Sequence, residues 1–158
     1  MTILKLVLVA SASILLTACA NPGPMQLGSG PTYTPVFEPV ALDLTDNRTG
    51  NILFKETAVF MYLDDKRESA LLGGGATFFI TNTGAYLADW NTNTYKYSIE
   101  YQVSAKDIKN LSEFTVVRDY LPDSNLIRIT DNKNQTVGFS VRNRVAAKQA
   151  LISIMPPQ

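Results

Sequence analysis

The sequence has 158 residues, of which none is histidine and one is cysteine, and these two shortages exclude several functional classes. Imidazole is the usual acid–base group near neutral pH and a common ligand of zinc and copper. Catalytic triads and metal sites that depend on histidine are therefore excluded. The single cysteine, Cys19, has no partner for a disulfide within the chain, so the fold cannot depend on one.

Net charge is also lacking, because 14 Lys and Arg side chains balance 14 Asp and Glu side chains. The densest charge cluster, residues 64–68, mixes both signs and is typical of a solvated loop. A nucleic-acid-binding surface would need a basic stripe or patch, and the sequence contains none. We therefore expect no nucleic-acid partner, and no motif predicts a cofactor or a metal site.

Three kinds of catalytic site remain available without histidine: a carboxylate pair, a serine–lysine pair, or carboxylate-bound calcium or magnesium. No motif in the sequence predicts any of them, so we expect no catalytic residue and predict that the protein is not an enzyme. The enzyme alternative is a carboxylate-dependent hydrolase acting on envelope glycan. It would require two acids to converge in a cleft, from the set Asp64, Asp65, Asp89, Glu100, Asp107 and Glu113.

The first eighteen residues have the composition of an export signal. Lys5 provides a positive charge, and the apolar run from Leu6 to Leu16 is long enough for the core of a signal peptide but too short to span a bilayer. Small residues follow this run, as at a cleavage site. We predict that residues 1–18 are a signal peptide.

The residues Leu16-Thr17-Ala18-Cys19 resemble the lipobox of bacterial lipoproteins. This resemblance implies that the Cys19 thiol receives a diacylglyceryl group, with palmitate-type acyl chains, and becomes the first residue of the mature protein. Two or more acyl chains hold a protein stably on a membrane without a transmembrane helix. Bacterial lipoproteins with aspartate after the cysteine usually stay in the inner membrane, so Ala20 implies the outer membrane, with the protein facing the periplasm.

Residues 19–39 contain five of the eight prolines, together with several glycines. Segments of this composition cannot form a core and behave as partly extended spacers. We predict a tether over residues 19–39. The remaining residues, 40–158, are of a length typical of one domain with one core.

Most of residues 40–158 has the patterns of β structure. Residues 40–44 are a candidate strand that could pair with Ile52 to Phe54, and residues 64–75 are expected to form a loop. Two hairpins are predicted, one over residues 76–90 around Thr81 to Gly84 and one over residues 126–141 around Asp131 to Asn134. Between them, apolar and polar residues alternate, which predicts a strand with one buried face: Tyr95, Tyr97, Ile99, Tyr101 and Val103.

The spacing of apolar residues changes from strand-like alternation to a helical period only at the end of the chain. After a candidate N-cap at Asn143, the apolar residues Ala147, Ala150, Leu151 and Ile154 follow helical spacing, and the prolines at 156 and 157 end the pattern. We therefore predict a mainly β fold: a small antiparallel barrel or sandwich with one C-terminal α-helix.

The order of these elements from Ala76 to Ile154 resembles that of bacterial PH-like and GRAM-like domains. The opening hairpin FFITNTGAYLADW, the step Lys106-Asp107-Ile108, the later hairpin LIRITDNKNQTVGFSV and the closing helix carry the likeness. The resemblance implies a PH-like fold and a binding or scaffold role with no shared chemistry. Phosphoinositide binding is not implied, because Asn82, Thr83 and Gly84 replace the basic residues of the first hairpin loop.

Four aromatic residues form the candidate surface for a protein partner in the envelope: Trp90, Tyr95, Tyr97 and Tyr101. In most proteins such residues belong to a core, but in an exposed groove they would be suited to binding. We therefore predict a lipid-anchored, periplasm-facing binding or assembly module of the bacterial cell envelope. The other alternative is a structural lipoprotein of a phage- or plasmid-derived element.

Overall fold

The computed structural model describes residues 30–64, 67–71, 76–117, 119 and 121–157, although it does not describe the side chains of residues 64 and 67–71. The predicted signal peptide and Cys19 lie outside these ranges. Neither helix in the described ranges has the length and hydropathy required to cross a bilayer.

Nine strands and two α-helices make up the described part of the chain, with a short 3-10 helix at Ala105–Asp107. In chain order they are α1 (Phe37–Leu44), β1 (Ile52–Thr57), β2 (Val59–Asp64), β3 (Arg67–Leu71), β4 (Thr77–Thr81), β5 (Gly84–Asn91), β6 (Lys96–Ser104), β7 (Ile108–Thr115), β8 (Asn125–Asp131), β9 (Thr136–Ser140) and α2 (Arg144–Ile154).

The strands form two antiparallel sheets. The first has the order β1-β4-β5-β6 and the second has the order β3-β2-β9-β8-β7. The chain passes from one sheet to the other three times: at Ala58, which is buried, between β3 and β4, and at the 3-10 helix. The sheets do not close into a barrel within the described residues, so the predicted mainly β fold is confirmed as a sandwich.

The main core lies between the two sheets and includes residues from both. Phe78 of β4 stacks on Phe139 of β9 with their ring centroids 4.1 Å apart. The predicted C-terminal helix is confirmed as α2, which contacts β1, β4, β5 and β8 and places Ala147 and Leu151 in this core. The Asn143 side chain accepts a hydrogen bond from the Ala146 amide, which confirms the predicted cap.

Residues 40–44, predicted as a strand, belong instead to helix α1. Phe37 and Ala41 are one helical turn apart and both are buried, so the helix has one apolar face. Pro39 is tolerated because it lies in the first turn, where the amide hydrogens have no helical acceptor. Strand β1, which was expected to pair with residues 40–44, pairs with β4.

The predicted tether is also too long at its C-terminal end. Gly30, Pro31 and Thr32 are buried, and two successive turns lead from Pro31 into α1. The proline content suggested a spacer, but Phe37 is fully buried and its ring meets Phe79 and Tyr97 edge-on at centroid distances of 5.6 and 5.4 Å. Residues 30–39 are therefore part of the folded domain.

The predicted loop over residues 64–75 contains strand β3 (Arg67–Leu71). β3 pairs antiparallel with β2, so that Phe60 lies opposite Leu71. The mixed charges of this segment suggested a solvated loop, but they are also compatible with an edge strand, where charged residues are common.

Candidate functional site

A second core lies on the outer face of the first sheet, away from the second sheet. The N-terminal strap, which we define as residues 30–44, covers this face. The buried members of this core are Phe37 and Ala41 of the strap, with Phe79, Tyr86, Ala88, Trp90 and Tyr97 of the sheet.

Buried hydroxyl groups hold the beginning of the strap on the sheet. Thr32 Oγ1 lies 2.6 Å from Thr77 Oγ1 and 3.1 Å from the Tyr97 hydroxyl. Burial raises the pKa of Tyr97, although its hydrogen bonds with Thr32 and Thr77 act in the opposite direction. Buried polar groups that satisfy one another in this way specify one arrangement of the segment.

An ion pair at the surface holds the helix of the strap. Lys55 Nζ lies 2.8 Å from Glu38 Oε1 and 5.7 Å from the centre of the Phe37 ring. The cation therefore contacts both a carboxylate and an aromatic face. The strap is thus held by apolar, polar and charged contacts along most of its length.

A groove of about 780 Å³ opens between the strap and the turn that joins β5 to β6. We call it the aromatic groove. Its lining residues are Pro31, Pro39, Val40, Leu42, Asp43, Leu44, Arg48, Trp90, Tyr95, Lys96 and Tyr97. A concave, mainly apolar surface with a few charged groups at its rim is the usual form of a binding site.

Tyr95 is the exposed aromatic residue of the groove and has a strained backbone. Its side chain is 45% exposed and its φ is 51°, a left-handed conformation that is rare for bulky residues. The turn fixes this conformation: the Tyr95 amide donates to the Asn91 carbonyl at 2.8 Å, and Asn91 Oδ1 accepts from the amides of Asn93 and Thr94. Strain of this kind costs about 1–3 kcal/mol and is concentrated at functional sites.

Trp90 forms the inner part of the groove. It is 5% exposed, and its ring lies 4.7 Å from that of Tyr97 and 6.5 Å from that of Tyr95. Its indole Nε1 is buried and has no hydrogen-bond partner among the described residues. Gly30 has a φ of 64° and lies against the indole, where a Cβ would come within 2.6 Å of Trp90 Cδ2.

The groove has charged residues at its rim. Asp43 Oδ1 and Arg48 Nε form an exposed ion pair at 2.6 Å. Lys96 is exposed and forms no ion pair within the described ranges. Besides burial, the negative charge of Asp89 on β5 raises the pKa of Tyr97, so an acid as well as Lys96 lies near this end of the groove.

Three of the four predicted partner-binding residues, Trp90, Tyr95 and Tyr97, meet in this groove, and Tyr101 does not. The prediction that β6 has one continuous apolar face was wrong. Ala88 pairs with Ile99 but Leu87 pairs with Tyr101, so Glu100 is an extra residue that forms a β-bulge. The bulge reverses the alternation and directs Tyr101 into the main core.

Of the acids considered for the enzyme alternative, Glu100, Asp107 and Glu113 have polar side-chain partners in the described structure. Asp65 and the Asp64 side chain lie outside the described part, and Asp89 lies on β5. Glu100 accepts a hydrogen bond from Ser98. The pKa of Asp107 is lowered chiefly by its hydrogen bond with Ser104, and the pKa of Glu113 is lowered chiefly by its hydrogen bond with Lys148. No group of three acids or cysteines able to hold a metal occurs among the described residues.

The wall of the groove formed by the strap was not predicted from the sequence. Val40, Leu42 and Leu44 were assigned to a strand, and Pro39 to the tether. The spacing of Phe37 and Ala41 was a signal of the helix, but a single pair of residues is weak evidence for one.

No protein-family model matches this chain, and no match is found among the curated proteins. Among solved structures, the C-terminal domain of an unknown protein from Leishmania infantum aligns with 70% of this chain and 89% of its own, at 17% identity and a TM-score of 0.44.

Proposed function

We propose that this protein is a lipid-anchored, periplasm-facing binding or assembly module of the bacterial cell envelope, and that its protein partner occupies the aromatic groove. The lipobox-like residues before Cys19 support the anchor and the compartment. The lack of histidine and of a catalytic motif supports a binding role over an enzymatic one.

The main support for a binding role is the backbone conformation and the exposure of Tyr95. A tyrosine in a left-handed turn is less stable than the asparagine or glycine that such turns prefer, so its presence is not explained by the fold alone. The turn holds the ring, 45% exposed, beside a groove that also contains Trp90 and Tyr97. Tyrosine and tryptophan are the residues most enriched at the energetic centres of protein interfaces.

Capture of the envelope partner tests this role. Tagged protein is purified from membranes as the wild type, as Tyr95→Ala, and as Val145→Ala, which removes an exposed apolar side chain of α2 outside the lining of the groove. We expect the wild type and Val145→Ala to recover the same partner and Tyr95→Ala to lose it. Recovery of the partner by Tyr95→Ala, or of no partner by the wild type, would contradict the proposal.

The anchor is tested separately with Cys19→Ser. This change removes the thiol that would be alkylated, so we expect the variant to lose lipid attachment and to leave the detergent-extracted membrane fraction. Mass spectrometry of the mature amino terminus should show the lipid on the wild type. A correctly cleaved Cys19→Ser variant that stays with the membranes would refute the proposed anchor.

A further inference from the structure

We infer that the part of the strap nearest the lipid anchor lies against the lipid bilayer. The inference rests on the proposed function, because it requires the lipid at Cys19, and it specifies which side of the domain faces the membrane. We call this part the entry surface and define it by Tyr33, Pro35 and Val36. They are the first exposed residues after the described chain begins at Gly30.

The entry surface exposes mainly apolar atoms. Tyr33 is 66% exposed and Val36 is 43% exposed. The Tyr33 hydroxyl accepts a hydrogen bond from the Thr57 amide at 3.1 Å. Because the protein already binds this hydroxyl, the part of Tyr33 that remains for contact with another molecule is its ring. Tyrosine is enriched at the level of the lipid headgroups, where such a ring and its polar end are both accommodated.

The charged side chains of the strap are paired. They are Glu38 and Asp43. Lys55 Nζ lies 2.8 Å from Glu38 Oε1, and Arg48 Nε lies 2.6 Å from Asp43 Oδ1. These two pairs sum to no net charge, so the strap neither requires nor repels anionic lipid. A neutral, apolar surface of this kind is suited to a zwitterionic bilayer.

The neighbouring strand β1 adds one further charge, Glu56. Lys55 and Thr57 contact the strap, and because side chains alternate along a strand, Glu56 faces the other side of β1. There its carboxylate accepts hydrogen bonds from the amides of Arg142 and Asn143. The remaining negative charge is therefore directed away from the entry surface.

The position of the anchor selects lipid as the occupant of this surface. Residues 20–29 separate Cys19 from Gly30, so the point at which the described chain enters the domain stays within about 40 Å of the bilayer. The entry surface follows directly after this point. A short tether makes the contact intramolecular, and a weak affinity of a few apolar side chains for lipid is then sufficient to orient the domain.

Membrane contact at the entry surface leaves the aromatic groove available. None of Tyr33, Pro35 and Val36 lines the groove. A protein bound in the groove would therefore lie close to the bilayer that holds the anchor.

A fluorescent label at residue 36 tests the contact. Val36→Cys is compared with Ile152→Cys, an exposed apolar position of α2 that lies beside Asn110 and Leu111 of the second sheet. The full-length protein is expressed, and its lipidated form is labelled and reconstituted in phosphatidylcholine vesicles that contain nitroxide-bearing lipid. The alkylated Cys19 does not react with the label. We expect the nitroxide lipid to quench the label at residue 36 and the iodide ion in the buffer to quench the label at residue 152.

Variants of Tyr33 in the Val36→Cys protein locate the contact. Tyr33→Phe and Tyr33→Ser both lose the hydrogen bond with the Thr57 amide, so the difference between them reports the ring. Tyr33→Phe should keep the quenching by nitroxide lipid, and Tyr33→Ser should lose part of it. Addition of phosphatidylglycerol should leave the quenching unchanged, because the entry surface is neutral. Equal quenching in the two variants, or quenching that requires phosphatidylglycerol, would overturn the inference.

The remaining outcomes separate this inference from the proposed anchor. If the protein sediments with the vesicles but its label at residue 36 behaves like that at residue 152, the inference fails and the proposed anchor stands. Protection of residue 36 from iodide without quenching by lipid would mean that a second copy of the chain covers the surface, and it would also overturn the inference. If the protein carries no lipid and does not sediment with the vesicles, the anchor and the inference both fail.

Discussion

Removal of a single hydroxyl from Tyr101 should stabilise the protein, whereas the same change at Tyr97 should destabilise it. Tyr101 is 6% exposed, and its hydroxyl has no hydrogen-bond partner among the described residues. Tyr97 is equally buried, but its hydroxyl lies 3.1 Å from Thr32 Oγ1. Phenylalanine keeps the ring in both variants, so the comparison isolates the hydroxyl.

The two magnitudes follow from what each hydroxyl contacts. An unsatisfied buried polar group costs about 1–3 kcal/mol, so Tyr101→Phe should raise the free energy of unfolding by about 1–2 kcal/mol. A satisfied hydrogen bond contributes about 1 kcal/mol, so Tyr97→Phe should lower that free energy by a similar amount. With a urea dependence of about 2 kcal/mol per molar, the midpoints should rise by about 0.5–1 M and fall by about 0.5 M respectively.

Urea unfolding of the purified protein provides the measurement, with circular dichroism for the strands and fluorescence of Trp90, the single tryptophan. Alkaline pH offers a second readout. Burial raises the pKa of Tyr101 above its usual value of 10.0, so the unfolded chain loses this proton first and stability falls as the pH rises past 10. Tyr101→Phe should reduce that loss. A lower urea midpoint for Tyr101→Phe than for the wild type would refute the reasoning.

Three further predictions concern other parts of the molecule. Gly30→Ala should lower the melting temperature, because the left-handed backbone costs about 1 kcal/mol and the new Cβ would lie 2.5 Å from the Tyr97 hydroxyl; an unchanged melting temperature would contradict this placement of the strap. Tyr95→Gly should relieve backbone strain and raise the melting temperature while it abolishes partner capture, whereas Asn134→Gly, at a φ of 63° in the β8–β9 turn, should change neither. Glu113 should contribute stability above its usual pKa of 4.5 and lose it as the pH falls, because its pKa is lower in the folded protein; Lys148→Ala should reduce this pH dependence of unfolding.

The elements that could be predicted from the sequence are those formed by contacts between residues close together in the chain. The hairpins β4–β5 and β8–β9 join strands that are adjacent in sequence, so the alternation of apolar residues and the turn residues were sufficient to predict them. Helix α2 was predicted for the same reason, since its apolar spacing and the Asn143 cap both lie within a short segment.

Long-range contacts explain the errors. The strap is ordered because Phe37 enters a pocket made by Phe79 and Tyr97, which are distant in sequence, and its proline content gave no sign of this. The bulge at Glu100 depends on the pairing of β6 with β5, so the alternation of β6 taken alone assigned Tyr101 to the wrong face. As a result, three of the four aromatic residues predicted from the sequence lie together in the groove, but its opposite wall was not predicted.

The strap also determines how a mechanical load would enter the domain. If Cys19 carries lipid, the chain from Cys19 to Gly30 reaches at most roughly 40 Å at full extension, and any tension on it acts first where Gly30 meets Trp90 and Tyr97. The same two aromatic residues line the groove. Tension between the membrane and the domain would therefore act on the aromatic groove before it reached the main core.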